Sequence, residues 1–374
     1  MRAAWLAAAL LLAACAENAD EDTGELDVRT TVSTVEISSL TTATTVATVP
    51  TAPIETVDEV AGTGFSVVRA LEQLPALEPS AGIQVRLTDF DAAAAVAGLT
   101  RPPLDAPADA EAISAWLLPL TGVSEFAPAR AFLPARMGSN VIGQVEAVED
   151  ELGWSLSNVR WFAEYRSVPH LFTIYGGLFN EAAIDAAIPD RVDGVWRIGD
   201  EELANDPKDR TVARPLGEAI RLALDGDLLA VSLEMAPVLA WEHGERALLD
   251  PNVQAVADYL DEGGVYTALI VSGGQAPSSK YLLVGAGITR GGTTRLIYRF
   301  GDSASATEAA AALESIVRDG TSNTFGQPWR DIVSVVSITT DGASVIAELA
   351  PILRVDDVLN VLLAKDNIGT LVAT

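Results

Sequence analysis

The chain has 374 residues, 49% of them hydrophobic and 6% aromatic, enough to bury the core of one large domain or two medium ones. Its formal net charge is −28, a field that repels nucleic acid and argues for no nucleic-acid partner. Cys15 is the only cysteine, and His170 and His243 are the only histidines, which excludes an internal disulfide and a zinc centre built from several cysteines.

The first elements in chain order are a leader and a tether. Arg2 and the free amine open the chain, and residues 6–12 form an apolar run. That run is too short to cross a bilayer, which needs about 20 apolar residues. Leu12-Ala13-Ala14-Cys15 follows: an aliphatic residue, two small residues that let a peptidase reach the backbone, and a thiol, the side chain that accepts a diacylglyceryl thioether. This segment resembles the bacterial lipobox. The resemblance implies a signal peptide over 1–14, a lipid on Cys15, and a chain anchored to the outer face of a cell membrane. Asp225 and Asp227 interrupt the most apolar later stretch, 219–241, so the lipid is the only anchor expected. Residues 15–62 read as the lipidated cysteine and a disordered tether, with an acidic run from Glu17 to Asp27, clustered Thr, and Pro50 and Pro53. Such low complexity does not offset the entropy of ordering by burial. Its mean reach, about 35–40 Å, would hold the body away from the membrane.

Residues 63–168 read as a mostly helical first part of the body. Helices are expected over 65–74 and 110–120, with a strand over 83–87. Thr88 or Asp89 caps a further helix through Leu99, which Pro102-Pro103 breaks. The stretch 153–165 reads as a helix with Trp154 and Trp161 on one face, a buried face rather than a sugar or lipid platform.

Residues 169–374 read as a duplication, with copies at about 169–264 and 293–374. Each copy runs strand, helix, Trp-Arg, a hairpin turning at Asp-Gly (Asp225-Gly226 and Asp341-Gly342), then Glu-x-Ala-Pro (Glu234 and Glu348) and a helix. Strands at 265–271 and 280–288 lie between them. The expected class is α+β: antiparallel sheets with helices packed on one face. The arrangement resembles uncharacterised actinobacterial exported lipoproteins.

The motifs that suggest chemistry are incomplete. Residues 285–292 look like a dinucleotide fingerprint, but a strand-like segment follows where a helix is required, so Arg290-Gly291-Gly292 reads as a hairpin turn. Phe300-Gly-Asp-Ser303 resembles the nucleophile block of GDS-type esterases, yet no histidine follows His243 to serve as base. Asp302, Ser303 or Ser305 reads better as a helix cap. His170 and His243, with Glu242 or Glu245, lack metal-ligand spacing, and Asp356-Asp357 reads as a solvated helix start. No catalytic, cofactor or metal residue is therefore nominated, and Cys15 is the one site residue. The expected role is a non-enzymatic envelope lipoprotein that binds a protein or small molecule or has a structural task. The alternatives are a solute-binding component of an uptake system and, third, a hydrolase using Ser303.

Overall fold

Two Asp-Gly pairs turn the hairpins expected of them, because Gly226 and Gly342 adopt positive φ (62° and 54°) at little steric cost. From these turns the architecture can be followed strand by strand in the computed structural model. It describes residues 65–75, 82–121, 129–246, 248–272, 281–352 and 354–363. The leader, Cys15 and the tether lie outside the described residues.

In chain order the elements begin with α1 (Val67–Glu72), β1 (Gln84–Asp89), α2 (Phe90–Ala97), α3 (Ala110–Leu117), α4 (Ser139–Ile142) and α5 (Val145–Leu152). Next come β2 (Val159–Ser167), β3 (His170–Gly177), α6 (Glu181–Ala187), β4 (Arg191–Val192), β5 (Val195–Ile198), β6 (Ile220–Asp225), β7 (Leu228–Ser232) and α7 (Met235–Glu242). The chain continues through α8 (Pro251–Glu262), β8 (Val265–Ser272), β9 (Tyr281–Thr289), β10 (Thr294–Phe300), α9 (Ser303–Asp319), β11 (Val333–Asp341), β12 (Ser344–Pro351) and α10 (Asp357–Leu363). Caps set many helix starts: Asp89, Asp109, Asn180, Asp250 and Asp302 each accept a backbone N–H from the first turn that follows.

All the described strands join one antiparallel sheet of twelve, in the order β11-β12-β10-β9-β8-β1-β2-β3-β7-β6-β5-β4. The class is α+β, as the sequence indicates. The helices, however, cover both faces of the sheet and not one. Phe162, Tyr175, Leu229 and Tyr298 enter a core closed by α2, α3, α5, α6, α9 and α10. Their chain neighbours Ala163, Ile174, Ala230 and Ile297 enter a second core closed by α1, α7 and α8. The central strands are buried on both sides, which takes two layers of helix.

The arrangement β-β-β-α-β-β occurs twice. In one module it is β1, β2, β3, α6, β6 and β7, with α2 to α5 inserted after β1 and β4 and β5 after α6; in the other it is β8, β9, β10, α9, β11 and β12. In each, the last strand returns to pair with the third. Registers match throughout: the row Thr88–Phe162–Tyr175–Leu229–Leu224 in the first module corresponds to Val271–Val284–Tyr298–Val345–Thr340 in the second. The modules meet at β1 and β8, where Gln84 faces Val271 and Thr88 faces Thr267, the pattern of a local two-fold centred on Arg86 and Leu269. The repeated unit thus includes β1, β2, β8 and β9, upstream of the Asp-Gly hairpins. By the hairpin registers Glu348, inside β12, corresponds to Ser232 and not to Glu234, which precedes α7.

The helix expected over 153–165 is not formed. α5 stops at Gly153, which is left-handed (φ 75°), and β2 takes over from Val159. Trp154 and Trp161 are not on one helical face: Trp154 packs in the first core and Trp161 lies against the second. β2 is rich in aromatic and branched residues and is buried on both sides, so no clean period marks it.

Candidate functional site

One row of side chains crosses the middle of the sheet on its first-core face. In the first module it reads Arg86, Glu164, Thr173; the equivalent row in the second reads Leu269, Ala286, Leu296. A charged row in an interior is costly unless its groups are used. Here it is used to hold a strap.

The strap is the segment 129–137, which crosses the strands outward from the module junction. Arg130 N–H donates to Tyr266 Oη on β8 (3.2 Å), and Phe132 N–H donates to Thr88 Oγ1 on β1 (3.0 Å). Ala135 N–H donates to Glu164 Oε2 on β2 (2.6 Å). Arg136 then reaches the start of β6, with Nη1 on Glu218 Oε1 (3.2 Å) and Nη2 on the Ala219 carbonyl (2.9 Å). The Phe132 ring also lies under the Arg86 guanidinium, 5.6 Å from ring centre to Cζ. Tyr266, Thr88 and Glu164 thus each accept an N–H that the strap, having no ladder of its own, would otherwise leave unpaired in the core.

Burial tunes these groups. Glu164 is fully buried, and loss of solvent pushes its carboxyl above the ordinary carboxylate value; the Ala135 N–H and the charges of Arg166 and Arg86 oppose this. Burial lowers the Arg136 guanidinium, against the pull of Glu218. Burial also raises the Tyr175 phenol, beside Glu164, well beyond its usual range. Glu164 Oε1 and Arg136 Nε find no hydrogen-bond partner among the described residues.

A groove of about 660 Å³ lies between α5, the end of α6, β5 and the loop before β6. Arg214, on its wall, donates from Nε to Glu151 Oε1 (3.0 Å), and Thr211 Oγ1 donates to the same oxygen (2.7 Å). Asp150, Asp190 and Arg197 complete its charged lining. The groove is mixed in sign, and its Arg214 and Arg197 are each paired with a carboxylate.

The residues singled out from the sequence do not come together here. Asp302 caps α9, accepting from Ser305 N–H and Ser305 Oγ (both 2.8 Å), and Ser303 opens that helix. His170 Nδ1, at the exposed start of β3, sits 2.6 Å from Glu234 Oε2, and His243 is an exposed residue ending α7. Among the described residues, no group of three or more His, Cys, Asp or Glu is placed to hold a metal ion. Residues 285–289 lie within β9 and 290–292 turn into β10, with no helix following. Asp356 and Asp357 do open α10, yet both are buried rather than solvated. Asp356 is bound by Arg130 and Arg354, and burial pushes the Asp357 carboxyl up to about 6. Among the described residues, no helix is long and apolar enough to cross a membrane.

No protein-family model, curated protein or solved structure matches this chain.

Proposed function

We propose that the protein is an exported lipoprotein, anchored through a lipid on Cys15 to the outer face of a cell membrane, whose body is a non-enzymatic binding or structural module. The anchor reading rests on Leu12-Ala13-Ala14-Cys15 and its position after a short apolar run. One observation supports the reading of the body: the buried Glu164 and Arg136 are committed to the strap and to Glu218. Groups held in this way fix a shape and present no free nucleophile.

The solute-binding alternative requires lobes that close about a hinge. Here β1 and β8 hydrogen-bond across the module junction, and one sheet runs through both modules. A continuous ladder resists such closure, so binding at a surface is favoured over capture in a cleft.

The anchor is tested by metabolic labelling with an alkyne fatty acid. The wild type should take up label and the Cys15→Ala variant should not. Label in both, or an unacylated mature terminus by mass spectrometry, contradicts the anchor. Labelling of Ser303 by a fluorophosphonate probe would contradict the non-enzymatic reading.

A further inference from the structure

We propose that the outer edge of β11 is a self-association surface, on which a second copy of this chain pairs its own β11 antiparallel. The proposal is independent of the lipid anchor.

Comparison of the two modules carries the argument. The strand of the first module equivalent to β11 is β6, and β6 is covered: Trp196 on β5 faces Leu222, and Ile198 faces Ile220. By the hairpin registers Leu222 corresponds to Ile338. Among the described residues nothing pairs with that side of β11, which ends the sheet. Among the described residues, the place filled by β5 in one module is therefore open in the other.

The two ends of the sheet differ in a second way. The β4 end is blunted in the usual manner: it has two residues, and Arg191 lies there in ion pairs with Glu181 and Asp185. β11 has nine residues and carries no charge and no proline from Val333 to Thr340. Its side chains are largely exposed, Val336 at 57%. A bulge between Val335 and Ser337 bends the first half, so the straight stretch offered runs from Ser337 onward.

A second copy of β11 suits this edge. An antiparallel pair of such strands sets Ser, Ile and Thr opposite one another and brings no like charges face to face along its centre. The chain already joins equivalent strands in this way, since β1 and β8 are related by the local two-fold and pair antiparallel. Such a contact is small, so it gives a weak dimer, with a dissociation constant on the order of micromolar. Each copy carries a formal charge of −28, so association should tighten as salt screens the repulsion.

Sedimentation equilibrium of residues 16–374, from about 1 to 200 μM and at low and high NaCl, tests the proposal. The wild type should show a monomer–dimer equilibrium that strengthens with salt. The double variant Ser337→Lys with Thr339→Lys, whose side chains are exposed and lie in that straight stretch, should keep the wild-type circular dichroism and remain monomeric. A wild type that is monomeric throughout overturns the proposal. So does a folded variant that dimerises as the wild type does, because the contact then lies elsewhere.

Discussion

Arg86 and Leu269 face each other across the two central strands, and each stands at the position in its own module that the other occupies in the second. The same backbone place therefore carries a guanidinium on one side of the local two-fold and an isobutyl group on the other. The difference extends along the row, with Glu164 and Thr173 against Ala286 and Leu296. The strap explains it: the Phe132 and Ala135 N–H groups lie over β1 and β2 and take their acceptors, Thr88 and Glu164, from the first module.

Glu164 should therefore be an acceptor first and a charge second. Glu164→Ala strands the Ala135 N–H and should lower stability by about 1–3 kcal/mol, read as a fall in Tm. Glu164→Gln keeps an acceptor and should cost less. Because burial raises the Glu164 carboxyl, the folded state holds its proton above the ordinary value of 4.5. The stability that this proton supplies is complete below that pH and is lost as pH rises. Glu164→Gln should thus gain on the wild type as pH rises above 4.5, and Tm measured over a rising pH series checks the sign.

Arg136 and Glu218 should behave as a coupled pair. Arg136→Met leaves a buried carboxylate without its cation and should cost about 3–5 kcal/mol in a urea melt. Adding Glu218→Gln should recover part of the loss, with a coupling of about 1 kcal/mol or more in a double-mutant cycle. Strictly additive losses would show that the 3.2 Å contact is incidental.

The entry of the chain into the body hangs on Asp261. Its carboxylate accepts from Ser66 Oγ (2.6 Å), Val67 N–H (2.6 Å) and Val68 N–H (3.1 Å), capping α1 from across the fold. Asp261→Ala should cost about 1–2 kcal/mol. Trypsin should then cut more readily after Arg69, while the rest of the body stays resistant.

Asp357 should make stability fall with pH. Its carboxyl lies at about 6 in the folded chain against 3.8 ordinarily, chiefly through burial. The folded state binds the proton more tightly, so stability declines as pH rises from about 4 to 6. Asp357→Asn should flatten that decline, raising Tm by a few degrees at pH 7.5 and leaving it nearly unchanged at pH 4. An equal gain at both pH values would refute this origin.

Local signals were legible in the sequence and the long-range ones were not. Asp225-Gly226 and Asp341-Gly342 announce their turns, and Asp89, Asn180 and Asp302 their helices, because turns and caps are decided within a few residues. β2 was hidden because both of its faces are buried: Phe162 points to one core and Ala163 to the other, which erases the alternation. Those same two cores put helices on both faces of the sheet. The polar row left a fainter mark. Glu164 stands two residues after buried Phe162, and Thr173 two before buried Tyr175, so each is a polar residue in phase with a core aromatic. That phase was the available signal, but it becomes visible only once β2 and β3 are recognised as neighbours.

Amide hydrogen exchange on the wild type and the Glu164→Ala variant tests most directly whether the interior charges serve the strap. The account predicts that Ala135 and its neighbours in 129–137 lose protection in the variant, while β8 to β12 keep theirs. Unchanged protection of the strap, or a loss spread evenly over both modules, would contradict it.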